Sequence, residues 1–298
     1  MSDRTRLHLP LLFALCLPLP CVAGQTGAAG DADAAKAPER IHIIGASVSG
    51  GFEDGPLFGA SQQGDSVTLQ QLLKRWCGSE VKVTTHAPME MWNLFTDPKG
   101  IGEKEVDMAL RRQPDLVLAV DFPFWFAYGY VRGDEREARK ALLEVGLAYL
   151  SRFEVPVVIG DLPDMTGAAT RMLNPRQIPS PEVLEELNAR LAAFAAEREH
   201  VTLVPLAAIV KQMKVDGIAL PLADGPLVTA PGAMLQEDRL HATRLGMAML
   251  VHELQDALRE RFPAGHALHD RRWTFEQFVE AAGAGGELDL LREAAAGK

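Results

Sequence analysis

The sequence predicts an α/β protein, a three-layer α/β/α sandwich around a five-stranded parallel sheet. Three observations predict it. Five short apolar runs recur along the 298-residue chain, and a segment with helical spacing follows each. Strands alternating with helices build βαβ units, whose crossovers cover both faces of a parallel sheet. The composition, 47% hydrophobic and 23% charged, suits a soluble globular chain long enough to bury a sizeable core.

The first run is Ile41-His42-Ile43-Ile44. A helix opened by Ser66 follows, with Leu69, Leu72, Leu73 and Trp76 at helical spacing. The second run is Val81-Lys82-Val83-Thr84, and the helix after it spans 103–112, ending before Gln113-Pro114. The third, Leu116-Val117-Leu118-Ala119-Val120, is apolar on both faces, as a central parallel strand is. A long helix over 134–153 separates it from the fourth, Val155-Pro156-Val157-Val158-Ile159. Ser180-Pro181-Glu182 then starts a helix, with serine as cap and proline in the first turn. That helix presents Val183, Leu187, Leu191 and Phe194 on one side. The fifth run is Val201-Thr202-Leu203-Val204. The last crossover, 243–262, turns Met247, Leu250, Val251, Leu254 and Leu258 inward. Residues 273–296 add one or two helices outside the repeat, so the domain runs over 40–263, with a helical extension over 264–298.

The first residues read as an address. Arg4 and Arg6 precede an apolar stretch over 7–22 that Pro10, Pro18 and Pro20 interrupt, and Val22-Ala23-Gly24 offers a cleavage point. This is the layout of a secretory signal peptide over 1–24. Residues 25–39, rich in Ala, Gly and Asp, form a disordered lead-in. Cys16 and Cys21 lie in the removed segment, and Pro20 stands against lipidation at Cys21. Cys77 alone remains, so the mature chain forms no internal disulfide. The expectation is a secreted or periplasmic protein with no stable membrane span after cleavage. The net charge of −10 argues against nucleic acid as a partner, since phosphates call for a basic face.

Function in an open parallel sheet collects at the carboxyl ends of the strands. After the first strand comes Gly45-Ala46-Ser47-Val48-Ser49-Gly50-Gly51. A serine on a tight turn between strand and helix is exposed, and its small neighbours let a substrate approach. The segment lacks the Lys of a phosphate loop, and Ser49 stands where a G-x-S-x-G elbow has its second glycine. Before the last helix comes Asp238-Arg239-Leu240-His241. A carboxylate three residues before an imidazole can accept from Nδ1–H and leave Nε2 free to take a proton from a serine. Taken singly, each segment also reads as an ordinary loop or a helix cap. The other histidines show no metal-ligand spacing, and no metal or organic cofactor is implied.

Together, Ser47 and the Asp238-x-x-His241 block resemble the SGNH/GDSL hydrolase superfamily, as a divergent secreted member. Gly45-Ala46-Ser47 matches that family's Gly-Asp-Ser block with Ala46 in place of Asp, and His241-Ala242-Thr243 with Gly246 resembles its last block. The resemblance spans about residues 41–262 and implies a flavodoxin-like sheet. It implies Ser47 as nucleophile, His241 as base, Asp238 as the orienting carboxylate, and an ester of a lipid, an acetylated glycan or a small alcohol as substrate.

Two departures concern the oxyanion hole, for which the family uses the serine N–H, a Gly after strand two and an Asn after strand three. No Gly is evident after strand two, and Asp121 falls where the Asn is expected. An ionised carboxylate has no proton to donate. Three resolutions are open: a protonated Asp121, another donor such as Asn93, or a weak catalyst. Beside Asp121 runs the aromatic stretch Phe122-Pro123-Phe124-Trp125-Phe126-Ala127-Tyr128. Phe122 and Trp125 are candidates for a substrate wall, with packing against the next helix as the equal alternative. A second reading of the chain is a catalytically weak relative that binds a carbohydrate or envelope ligand in the same cleft. A third, a nucleotide-binding protein using the first loop, lacks the loop lysine.

Overall fold

Burial on both faces, unbroken over Leu116–Ala119 and Val157–Gly160, places the apolar runs at the centre of the protein. The computed structural model describes residues 37–52, 67–87 and 95–297. The strands are β1 (Arg40–Ile43), β2 (Lys82–Thr85), β3 (Leu116–Ala119), β4 (Val157–Gly160) and β5 (Val201–Val204). They form one sheet in the order β2-β1-β3-β4-β5, and every neighbouring pair is parallel. The order reverses between β1 and β3, and a crevice opens at the carboxyl edge where this happens.

Helices cover both faces. The principal crossovers are α1 (Ser47–Gly50), α2 (Leu69–Cys77), α3 (Pro98–Arg111), α4 (Phe124–Ala127), α5 (Glu135–Leu150), α6 (Pro181–Ala196), α7 (Leu206–Lys211) and α8 (Arg244–Arg259). On one face Ile41, Ile43, Leu118 and Val158 meet α2 and α8 through Leu72, Trp76, Leu250 and Leu254. On the other, Val117, Ala119 and Ile159 meet α3, α5 and α6 through Val106, Leu147 and Leu187. Burying a side chain of this size is worth about 1.5–3 kcal/mol, so these two apolar layers hold the sheet.

Several boundaries differ from the sequence expectation, each for a local reason. The helix expected from residue 103 begins at Pro98, because the Asp97 carboxylate accepts from Gly100 N–H and the proline fixes the first turn. β4 begins two residues later than expected, since Pro156 has no N–H to give a ladder. The helix expected to open at Ser66 starts at Leu69, where Thr68 and Gln71 form a reciprocal cap. α7 continues into a π turn over Gln212–Asp216, and a two-stranded ribbon, Ala219–Leu220 with Leu227–Val228, follows. The C-terminal helices α9 (Ala267–Asp270), α10 (Phe275–Ala282) and α11 (Gly285–Ala296) share the core of the α2/α8 face. Phe275 and Phe278 are fully buried there, and the Arg271 guanidinium bonds the Glu80 carboxylate at 2.7 Å. No helix among the described residues is long and apolar enough to cross a membrane.

A buried imidazole lies between β1 and β2. His42 Nδ1 sits 2.8 Å from Thr84 Oγ1, and its Nε2 is buried without a partner. Burial first, then the charges of His86 and Arg112, lowers its pKa from 6.5 to about 4. The unfolded chain therefore binds this proton before the folded one does, so stability is whole above pH 6.5 and declines toward pH 4. The loss is on the order of 2–3 kcal/mol. His42→Gln should flatten this part of the curve of melting temperature against pH. An unchanged slope from pH 6.5 to 4 would remove His42 as its source.

Candidate active site

The β1–α1 turn is held from beneath by two buried carboxyl groups. Gly45, at φ +142, leads out of β1 and donates its N–H to Glu105 Oε2 at 3.0 Å. Asp121, just past β3, accepts from Val48 N–H at 2.8 Å and Ser49 N–H at 3.3 Å through Oδ2. Its Oδ1 accepts the Ser49 hydroxyl at 2.5 Å. Gly50 and Gly51 donate to the Ala46 and Ser47 carbonyls. The Ser47 amide meets no acceptor among the described residues. Ser47 itself is half-exposed, whereas Ser49 is buried.

Burial raises the Asp121 carboxyl above the ordinary range, although the Ser49 hydroxyl and the loop amides favour its charged form. Burial also raises Glu105 well above its usual value; the Asp121 charge adds to this, and the Gly45 amide opposes it. Glu105 thus keeps its proton to higher pH than an ordinary glutamate, and that neutral form lets two acids share one buried site.

The second half of the site is the turn before α8. Asp238, fully buried, places Oδ2 at 2.5 Å from His241 Nδ1, while Oδ1 accepts from the amides of Leu240 and His241 at 2.9 and 3.0 Å. Burial pushes this carboxyl up, but the His241 ring and the two amides outweigh it and hold it below its usual value. The turn closes because Arg239 adopts a left-handed φ of +55 and Gln236 N–H reaches the His241 carbonyl at 2.8 Å. Thr243 caps α8. The absence of a side chain at Gly246 lets that helix pass the Met234 carbonyl, which a Cβ would meet at 2.3 Å.

Two contacts tie the halves together. The Gln236 side-chain amide donates to the carbonyls of Phe52 and Ala242, at 2.7 and 2.8 Å. The Phe52 ring lies on the His241 imidazole, with centroids 4.0 Å apart at 31°. Ser47 and His241 border one cavity of about 290 Å³, along with Phe52, Phe95, Phe124, Trp125 and Tyr130.

The structure therefore brings Ser47, Asp238 and His241 to the same carboxyl edge. Asp121 is there too, with both its oxygens bonded to the turn it braces. Trp125 lines the cavity, packed on Phe95 at 5.6 Å, with its indole N–H buried and unbonded. Phe122 lines no wall: it is fully buried and packs on Phe126 at 5.2 Å, because the tight turn after Asp121 points it into the core. Asn93 lies outside the described residues. Glu105, Gln236 and Phe52 were not singled out by sequence. Glu105 had a readable signal, an acidic residue on the same buried stripe of α3 as Gly102, Val106 and Ala109.

No protein-family model matches the chain, and no curated protein matches it by sequence. Solved structures that resemble it include a catalytic mutant of an acetylxylan esterase from Geobacillus stearothermophilus, at 17% identity and TM-score 0.44 over 78% of this chain and 97% of that one. Another is an esterase from a Pseudoalteromonas species, at 14% identity and TM-score 0.40 over 74% and 97%. A third is a GDSL-like lipase from Bacteroides thetaiotaomicron, at 13% identity and TM-score 0.40 over 74% and 88%. What this site can do follows from its own atoms.

Proposed function

We propose that the protein is a serine hydrolase that cleaves carboxylic esters through Ser47, His241 and Asp238, exported by the segment over 1–24. The observation that carries this reading is the Asp238–His241 pair at 2.5 Å, whose imidazole borders the cavity that Ser47 also lines. A buried carboxylate on Nδ1 fixes the tautomer and leaves Nε2 as the base.

The chemistry then runs in two halves. His241 Nε2 takes the Ser47 hydroxyl proton as Oγ attacks the ester carbonyl carbon. The oxygen that gains the negative charge meets the Ser47 N–H, a turn amide left without an acceptor. The carbon–oxygen bond to the alcohol breaks, and the imidazolium returns its proton to that alcohol. Water adds to the acyl-enzyme with His241 again as base, which frees the acid and restores Ser47. The Asp121 carboxylate favours the second reading, a weak catalyst that binds a carbohydrate or envelope ligand, because it puts no donor at the end of β3.

Labelling of folded protein with a fluorophosphonate decides between them. Wild type should form a covalent adduct that Ser47→Ala abolishes. Absence of an adduct on folded wild type would overturn the hydrolase reading in favour of ligand binding.

A further inference from the structure

Ser47 borders a second cavity, and the two differ in chemistry. This one is a slot of about 60 Å³ lined by Ser47 and by Val120, Asp121, Gly160 and Asp161 at the carboxyl ends of β3 and β4. Its walls include Met165, Leu206, Ile209, Met213, Leu235 and Leu250. The carboxylates along it are already committed, Asp121 to the serine turn and Asp161 to the Ala207 amide at 2.6 Å. His241 borders the larger aromatic cavity and does not border the slot.

That asymmetry fixes the direction of a bound ester. The imidazolium protonates the departing alcohol, so the alcohol half must lie on the His241 side. The acyl half then points the other way. We propose, resting on the hydrolase reading above, that the slot over Leu206, Ile209 and Met213 is the acyl site and that it takes a short unbranched chain. At roughly 10–15 Å³ per water-sized group, it holds about four to six carbons. The alcohol half is the bulky one, facing Phe95, Phe124, Trp125 and Tyr130 across about 290 Å³.

The test is a chain-length series of p-nitrophenyl esters, from acetate to decanoate, with kcat/KM measured for wild type and two variants. Each methylene that enters the slot should raise kcat/KM about threefold to fourfold. The rise should stop at about four to six carbons, and decanoate should fall at least tenfold below the maximum. Ile209→Phe fills the slot and should lower the hexanoate-to-acetate ratio at least tenfold. Ile209→Ala opens it and should move the optimum toward longer chains. Opposite shifts in a ratio do not arise from a loss of folded protein. If wild type hydrolyses the esters but neither variant moves the ratio, the slot assignment is overturned and the hydrolase reading stands. If folded wild type hydrolyses none and takes no fluorophosphonate, both readings fall.

Discussion

Asp238→Asn should lower kcat/KM on a nitrophenyl ester by about 10⁴ while leaving a folded protein. The carboxylate does two things that an amide cannot do together. Through Oδ1 it accepts the Leu240 and His241 amides, and through Oδ2 it accepts the imidazole Nδ1–H. An asparagine can keep the first role with its carbonyl oxygen. Its NH₂ then faces Nδ1 and favours the tautomer with the proton on Nε2, where the base is needed. The variant also loses the negative charge that stabilises the imidazolium during attack. The stability cost should be modest, because the turn remains closed by the Gln236 and Thr243 backbone bonds. The measurement is ester hydrolysis beside thermal unfolding. Activity within tenfold of wild type, on a folded variant, would show that the Asp238 carboxylate does not orient the catalytic base. An equal loss in both measurements would mean that Asp238 serves the fold alone.

The periodicity made the sheet legible because parallel strands buried on both faces leave short, fully apolar runs that few other structures produce. Leu116 to Ala119 is such a run, and it occupies the centre of the sheet. The helix over Leu206–Lys211 and its π turn were illegible for the opposite reason. They are short: Leu206, Ile209, Val210 and Met213 fall on one helical stripe, but it is too brief to stand out as a repeat. Within the site, the two motifs could be read because each is local: His241 comes three positions after Asp238, and Ser47 four positions after the end of its strand. The bracing of the serine turn is not local. Glu105 and Asp121 lie 60 and 72 residues from the backbone groups of Gly45 and Ser49 that they hold, and no spacing rule connects such positions. Phe122 and Trp125 were equivalent in an aromatic stretch. Only the turn after Asp121 separates them, sending one ring into the core and the other to the cavity.

Gly45→Ala should disable the protein more broadly than any change at the triad, because it strikes the turn from which Ser47 projects. Two effects add. A φ of +142 is open to glycine and strained for alanine, at about 1–3 kcal/mol. A methyl group there would also stand 2.2 Å from Asp121 Oδ1 and 2.8 Å from the Ser49 hydroxyl. Neither neighbour can simply swing away. Moving the Asp121 carboxylate strips acceptors from the Val48 and Ser49 amides, and it leaves a buried carboxyl group less well bonded beside Glu105. The combined loss should reach about 3–5 kcal/mol, within the range reserved for a broken buried network. Ser47 should shift with the turn, and a displacement near 1 Å at a reacting atom costs on the order of 10² in rate. Urea unfolding and ester hydrolysis on the same sample measure the two losses. A variant as stable as wild type would mean that the turn has room for a side chain at 45. A destabilised variant with full activity per folded molecule would mean that the carboxyl brace holds the fold without setting the position of Ser47.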